Sequence, residues 1–225
     1  MEQFTRIIEI IGEDGISKLQ NANVIVFGVG GVGGFAVEAL VRSGIGSITV
    51  VDNDKIDITN LNRQIIATTE TIGETKVGVI GKRIKSINPK IDLIEYQKLL
   101  TPENVREFEL EKYDYIVDAI DTVSAKLALI AEAKKLGVKI ISSLGTGNKK
   151  DITLLREGDI YETTICPLAK VIRKNLRKMG IDSLKVVYSI EEPVKTGKRT
   201  PASMIMVPGA AGLMIAKIVI EDLIE

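Results

Sequence analysis

The sequence predicts an α/β fold in which a doubly wound, mostly parallel sheet carries helices on both faces. Apolar runs typical of buried strands alternate with segments of helical periodicity through most of the chain. A glycine-rich turn at 28–34 joins the first strand to a helix, and a second strand follows. The length of 225 residues and the apolar content of 45% suit one well-filled core, with or without a small subdomain.

The predicted elements up to residue 147 form a Rossmann-like alternation. A short helix around 15–20 comes first. Strands are predicted at 24–27, 48–51, 91–96, 115–118 and 139–142. Helices are predicted at 35–43, 74–87, 102–108 and 125–136.

The pattern changes after residue 147. Strands at 153–156 and 184–189 flank a basic helix at 168–179, and turns surround 193–201. We expect this part to be a C-terminal insertion packed on the same sheet. The stretch 200–216 has no charged residue over 17 positions, but proline and glycines interrupt it and it is short for a bilayer. A buried core helix at 207–223 is therefore preferred over a membrane span.

Composition narrows the possible chemistry. Thirty basic and thirty acidic residues cancel, so only local clusters of charge can indicate an anionic partner. The absence of histidine removes the commonest general base and metal ligand. The single cysteine, Cys166, excludes an internal disulfide and a paired-cysteine zinc site. Since no signal-peptide core is present in the first residues, we expect a cytoplasmic protein.

The glycine turn is typical of a phosphate site. Gly28, Gly30 and Gly33 fit the pattern G-x-G-x-x-G, with Gly31 between them. Glycines let the backbone approach a phosphate, whose charge the following helix N-terminus favours. A turn needed only for close helix–strand packing is the alternative.

An acidic residue follows at the expected distance. Asp52 lies 19 residues after Gly33 at the end of the second strand, where a carboxylate accepts hydrogen bonds from ribose hydroxyls. Asp54 comes two residues later. Capping of the strand end is an equally good interpretation of Asp54.

A polar cluster favours a nucleoside triphosphate over a dinucleotide as the ligand. Asn60, Asn62, Arg63 and Gln64 follow the second strand, and Lys76 opens the next helix. A nucleoside triphosphate carries about four negative charges, and chemistry at its α-phosphate adds more. Arg63 and Lys76 suit that need, while Asn60 and Gln64 could orient phosphate oxygens. Solvated surface charges are the alternative.

The fourth strand ends in Asp118-Ala-Ile-Asp121. Carboxylates at the carboxyl end of a parallel strand face the ligand crevice. Asp121 is therefore predicted to hold Mg²⁺, a hard cation that prefers oxygen ligands. Asp121 could also cap the next helix.

Together these motifs resemble the adenylation domain of the ubiquitin-activating-enzyme superfamily. The segments 60–64, 142–148, 167–173 and 187–193 are further similar to the tRNA threonylcarbamoyladenosine dehydratases, over nearly the whole chain. The resemblance implies one ThiF-type adenylation domain over 1–225. It divides into a nucleotide-binding core at 1–147, an insertion with the basic helix at 148–202 and a core helix at 203–225.

The resemblance also implies site roles. ATP and Mg²⁺ are the expected ligands, with Arg63 and Lys76 on the triphosphate, Asp52 on the ribose and Asp121 on the metal. Arg6 resembles an N-terminal arginine that relatives donate into the partner subunit's site, which implies a homodimer. Cys166 stands where relatives carry aspartate, and we interpret it as a tolerated replacement.

The implied reaction is dehydration of N6-threonylcarbamoyladenosine beside the tRNA anticodon, through adenylation of its threonine carboxylate. An activator of a ubiquitin-like sulfur-carrier protein shares the ATP site and remains an alternative. An NAD-dependent oxidoreductase also shares the glycine turn, but the cluster at 60–64 does not favour it.

A basic stripe indicates a nucleic-acid partner. Five residues recur at three- and four-residue spacings on the helix at 168–179: Lys170, Arg173, Lys174, Arg177 and Lys178. This stripe could follow a phosphate backbone. A solvated helix face is the alternative. The dehydratase resemblance favours tRNA, and without interleaved aromatics we expect contacts to phosphates.

Overall fold

A computed structural model describes residues 2–198 and 200–225. The first half contains α1 (Thr5–Asn21), β1 (Asn23–Phe27), α2 (Gly33–Arg42), β2 (Ser47–Val51), α3 (Lys76–Ile87), β3 (Asp92–Tyr96) and β4 (Tyr115–Asp118). The second half contains α4 (Val123–Leu136), β5 (Lys139–Ser143), β6 (Leu155–Asp159), α5 (Pro167–Lys178), β7 (Lys185–Ser189) and α6 (Met206–Ile224).

The strands form one seven-stranded sheet in the order β3-β2-β1-β4-β5-β7-β6. Every pair is parallel except β6 with β7. The predicted fold class is therefore confirmed, including the insertion that extends the same sheet through β7 and β6. Strands β3 and β6 form its two edges.

Each face of the sheet is covered by its own apolar core. Alternate residues of β1 point to opposite faces, so Val24 and Val26 join one cluster while Ile25 and Phe27 join the other. Helices α2, α3 and α6 supply the first cluster, and α4 and α5 the second. The carboxyl ends of the parallel strands stay open between these two layers.

Two predicted elements differ from the structure in type or position. The predicted helix at 102–108 is wrong, because only a 3-10 turn forms at Val105–Phe108. The Asn104 side chain bonds the backbone at Thr101 and Leu99, and Glu109 adopts a left-handed conformation with φ 47°. The predicted strand at 153–156 is displaced, since Asp151 caps a 3-10 turn at Ile152–Leu154 before β6 begins.

Helix α1 is longer than predicted. It begins at Thr5 and contains one non-helical residue, Gly12, with φ 76° and ψ 171°. A positive φ of this size is strained for residues other than glycine, so Gly12 allows the break.

Helix α6 is buried, as predicted. Val207, Ala211, Ile215 and Val219 are fully enclosed and pack with α2 in the first core cluster. No helix in the described part of the chain is both long and apolar enough to cross a membrane.

A buried ion pair joins α4 to β4 and β5 just below the carboxyl ends of these strands. Lys126 Nζ lies 2.7 Å from Asp118 Oδ2, and both side chains are completely enclosed. Ser142 Oγ donates to the same carboxylate at 2.7 Å, and Lys126 Nζ donates to the Ser143 carbonyl at 3.1 Å. These bonds compensate the cost of burying the charges and fix the ends of β4 and β5 relative to each other.

The contact between α6 and α2 predicts a difference between two glycines. A Cβ at Gly212 would lie 2.3 Å from the Val32 carbonyl oxygen, whereas at Gly209 the nearest atom would be Phe35 Cε2 at 3.3 Å. We expect Gly212→Ala to lower the free energy of unfolding by about 1–3 kcal/mol through overpacking. Gly209→Ala, the matched control, should change it by less than about 1 kcal/mol. Urea unfolding of both variants measures this, and equal values would contradict the tight contact.

The ion pair predicts strong coupling between its members. Lys126→Met leaves the Asp118 carboxylate buried without its cation, so we expect a loss of about 3–5 kcal/mol in unfolding free energy. The double variant Lys126→Met/Asp118→Asn carries no charge at this position and should recover part of that loss. A double-mutant cycle by urea unfolding checks this, and strictly additive losses would show that the two side chains are not coupled.

Candidate active site

A cleft of about 650 Å³ opens at the carboxyl ends of the central strands. Its walls come from the turn after β1, the end of β2, the segment before α3 and the loop after β4. Ten of the predicted site residues line it: Gly28, Gly30, Gly31, Asp52, Asp54, Asn60, Arg63, Gln64, Lys76 and Asp121. Gly33, Asn62 and Arg6 do not line it.

The glycine turn serves both packing and access. Gly28 has φ 85°, and a Cβ there would lie 2.8 Å from the Ala119 carbonyl oxygen. A Cβ at Gly33 would lie 1.8 Å from the Gly28 carbonyl oxygen, so Gly33 is needed for close packing. Gly30 and Gly31 have only ordinary contacts at 3.4 Å or more. Their backbone is therefore the part of the turn that can approach a phosphate.

Asp52 ties the glycine turn to the end of β2. The Val29 amide donates to Oδ2 at 2.9 Å, and the Asp54 amide donates to Oδ1 at 2.9 Å. A carboxylate accepts about four hydrogen bonds, so both oxygens retain capacity for ribose hydroxyls.

Lys76 is buried and already paired. Its Nζ lies 2.7 Å from Asp54 Oδ2 and 3.9 Å from Asp52 Oδ1. Lys76 is 6% exposed, whereas the Asp54 side chain is 58% exposed. A triphosphate in the cleft would compete for this lysine only with a carboxylate that is largely solvated.

Hydrogen bonds from its own side chains hold the segment 57–64 in place. Asn60 Oδ1 accepts from the Asp57 amide at 3.1 Å in a capping box, which leaves the amide nitrogen as the donor that could orient a phosphate oxygen. Asn62 Nδ2 donates to the Ser203 carbonyl at 2.8 Å, which holds the segment before α6 instead of facing the cleft. Arg63 Nη1 donates to the Thr59 carbonyl at 2.6 Å. This bond presents the guanidinium in a fixed orientation.

Gln64 is a buried polar residue of the cleft with an oxygen unsatisfied in the described part of the chain. It is 6% exposed, and its Oε1 has no hydrogen-bond partner among the described residues. A buried amide oxygen without a partner costs about 1–3 kcal/mol. A hydrogen-bond donor supplied by a ligand would remove that cost.

Asp121 is exposed in the loop after β4, and no basic side chain of the described residues forms an ion pair with it. Within the described ranges no group of three or more acidic or cysteine side chains could hold a metal by itself. Mg²⁺ is commonly held by one or two carboxylates together with substrate phosphates and water, so a single free carboxylate fits it.

Sequence reasoning missed several residues that line the cleft. Lys98 follows β3, Thr146 follows β5 and Ser203 precedes α6. Lys126 lies below the cleft and was also missed. Its partners Asp118 and Ser143 are eight and seventeen residues away in sequence. The position of Lys98 after a strand was a usable signal, whereas the others depend on tertiary packing.

The predicted partner-binding residues lie outside the cleft. Arg6 is exposed on α1. On α5, Arg173 turns inward and donates to the carbonyls of Ile160 and Thr163, so it is not a free member of the basic stripe. Arg177 lies over the Tyr161 ring at 5.2 Å. The three exposed lysines of the stripe are Lys170, Lys174 and Lys178.

Comparison with known proteins agrees with this architecture. The model of the ThiF family matches residues 4–221. A Bacillus subtilis tRNA threonylcarbamoyladenosine dehydratase is 40% identical over 243 aligned positions, which cover 100% of this chain and 96% of that protein. A Thermus thermophilus sulfur carrier protein adenylyltransferase is 36% identical, covering 60% of this chain and 49% of that protein.

Solved structures show the same fold. An Escherichia coli tRNA N6-threonylcarbamoyladenosine dehydratase in complex with ATP superimposes with a TM-score of 0.94 and 32% identity, covering 99% of this chain and 93% of that one. Its complex with AMP gives the same TM-score. With its sheet order, its glycine turn and its acidic and basic cleft residues, the chain belongs to the ThiF family.

Proposed function

We propose that this protein is an ATP-dependent tRNA threonylcarbamoyladenosine dehydratase. One observation carries the proposal. A single cleft brings together two cations, Arg63 and Lys76, and an unpaired carboxylate, Asp121, in a chain that resembles the Bacillus subtilis dehydratase along its whole length. The chain is proposed to act as one adenylation domain, with the core at 1–147, the insertion at 148–202 and the last helix at 203–225.

The proposed nucleotide position follows from the cleft. The phosphates lie over the backbone of Gly30 and Gly31, where added atoms meet no close contact. The ribose hydroxyls donate to Asp52, whose carboxylate is already oriented by two backbone amides. Lys76 and Arg63 neutralise the phosphate chain, and Gln64 Oε1 accepts a hydrogen bond from the nucleotide.

Mg²⁺ would be held by Asp121 and would lower the negative charge of the triphosphate when bound. This role needs an exposed carboxylate with no cation of its own, and Asp121 meets that requirement among the described residues.

The reaction proposed for this site has two steps. The threonine carboxylate of the modified adenosine attacks the α-phosphorus of ATP, giving an acyl-adenylate and pyrophosphate. The carbamoyl group of the same nucleoside then attacks the activated carbonyl, loses a proton and expels AMP, so a ring closes with net loss of one water. Arg63 and Lys76 stabilise the charge that develops on phosphorus oxygens. The second nucleophile is intramolecular and well oriented, which is equivalent to an effective concentration of about 10⁵ M or more.

The proposed macromolecular partners are tRNA and a second copy of the chain. Lys170, Lys174 and Lys178 recur every four residues on α5 and are exposed, which suits contacts to successive phosphates. Arg6 is exposed on α1 and does not line the cleft of its own chain, which is compatible with donation to the cleft of a partner. A cytoplasmic location is proposed because tRNA is the substrate.

A direct assay tests the function. The purified protein is incubated with ATP, magnesium and tRNA that carries N6-threonylcarbamoyladenosine, and the nucleosides are then weighed by mass spectrometry. We expect a nucleoside lighter by one water and an equal amount of AMP. Control tRNA without the modification should yield no AMP.

An unchanged nucleoside would contradict the dehydratase proposal. If the same protein exchanges pyrophosphate into ATP only when a ubiquitin-like sulfur-carrier protein is added, it is an activator of such a carrier. The similarity to the Thermus thermophilus adenylyltransferase favours that as the second candidate function.

Arg63 gives a prediction at the level of one residue. Arg63→Ala removes a fixed guanidinium from the cleft, so we expect AMP formation to fall by about 100-fold or more. The unfolding midpoint should hardly change, because Arg63 is partly exposed and bonds only its own segment. Arg106→Ala, at a guanidinium side chain that is 75% exposed, is the matched control. Normal turnover in Arg63→Ala would exclude Arg63 from the proposed role.

A further inference from the structure

A second pocket of about 440 Å³ adjoins the nucleotide cleft. The two share five lining residues: Val32, Ala119, Ile120, Asp121 and Thr146. The second pocket therefore opens beside the loop that carries Asp121. Its volume lies within the range of about 300–1,000 Å³ that is usual for small-molecule sites.

The walls of this pocket are built from three segments, two of which are joined by hydrogen bonds. They are the chain after β5, the start of α5 and the loop before α6. Asn148 joins the first segment to the last, because its side-chain oxygen accepts from the Ala202 amide at 2.7 Å and its own amide donates to the Ala202 carbonyl at 2.7 Å. The Val194 amide donates to the Asn148 carbonyl at 2.7 Å. The chain after β5 and the loop before α6 therefore hold each other in place on this side of the pocket.

Most of the lining is apolar, with Leu144, Ile165 and Leu168 among its members. Lys149 is the cation of this lining. It is 6% exposed, and its Nζ donates to the Ser189 carbonyl at 3.0 Å. Across residues 2–198 and 200–225 no acidic side chain forms an ion pair with it.

The charge of Lys149 is poorly compensated by the protein. Burial lowers its pKa, and the nearby Cys166, Glu191 and Glu192 offset only part of that effect. Glu191 accepts from the backbone amides of Lys150 and Asp151, which holds its carboxylate at that turn. A buried cation with one neutral partner is costly unless an anion joins it.

We propose that this pocket binds the modified nucleoside itself, with Lys149 receiving its threonine carboxylate. The proposal rests on the proposed function. A carboxylate that attacks ATP must approach a phosphate chain of the same sign, and a fixed ammonium group lowers that electrostatic cost. The apolar walls suit the planar base, and the shared wall at Asp121 and Thr146 places the nucleoside next to the nucleotide cleft.

The test compares two anticodon stem-loops. One carries N6-threonylcarbamoyladenosine, and the other carries the same group with the carboxylate replaced by its amide. Binding to each is measured without ATP at one salt concentration, because phosphate contacts depend on salt. We expect the wild type to bind the carboxylate form about tenfold or more tightly than the amide form.

Lys149→Met should lose this preference while binding the amide form as the wild type does. Lys150→Met removes the same charge from the exposed neighbouring side chain and should keep the preference. ATP affinity and the unfolding midpoint of Lys149→Met serve as the check of folding. An unchanged carboxylate preference in Lys149→Met would overturn the proposal.

Ile165→Trp provides a second variant that leaves Lys149 in place. It fills the pocket from a loop position, so it should weaken both stem-loops alike and leave ATP affinity unchanged. Equal binding to wild type would also overturn the proposal. If the wild type dehydrates modified tRNA but either variant contradicts these expectations, only the pocket assignment fails. If the wild type neither binds the stem-loop nor forms AMP, the proposed function fails and the pocket assignment fails with it.

Discussion

The contact between the turn after β1 and the end of β4 is the constraint on which the site depends. Gly28 lies so close to the Ala119 carbonyl that a Cβ there would meet its oxygen at 2.8 Å, and a Cβ at Gly33 would meet the Gly28 carbonyl oxygen at 1.8 Å. This contact is possible only without side chains, and it brings the phosphate turn beside the loop that ends in Asp121. The Asp52 carboxylate then fixes the turn from the other side through Val29. The three parts of the cleft are therefore positioned by the backbone.

The state of each buried charge separates supporting residues from candidate ligands. The charge and hydrogen bonds of Lys126 are satisfied by Asp118 and the Ser143 carbonyl. Lys126 supports the carboxyl ends of β4 and β5 without lining the cleft. Lys76 is paired with a carboxylate that is largely solvated and can be replaced. Lys149 has one neutral partner. The order from Lys126 to Lys149 is one of decreasing charge compensation by the protein.

Local sequence patterns predicted the centre of the sheet well because β1, β2 and β4 are nearly continuous apolar runs, as buried parallel strands require. They predicted the helix at 102–108 wrongly because the side chain of Asn104 competes for the backbone there. The glycine turn was predictable from spacing, whereas the hydrogen bonds of Asn60 and Asn62 were not, since those depend on where Asp57 and Ser203 lie. Arg173 shows the same limit, because its partners near Ile160 are brought to α5 by tertiary packing.

The two edge strands, β3 and β6, determine how readily the sheet can pair with another chain in a crowded solution. An unpaired edge offers free amides and carbonyls to any other extended chain, and long apolar edges cause aggregation. Both edges here are only five residues long, and both carry charged side chains: Asp92 and Glu95 on β3, and Arg156, Glu157 and Asp159 on β6. Pairing with another strand would bring these charges out of water and against the incoming chain. The sheet thereby resists growth at either end while its apolar interior strands remain enclosed.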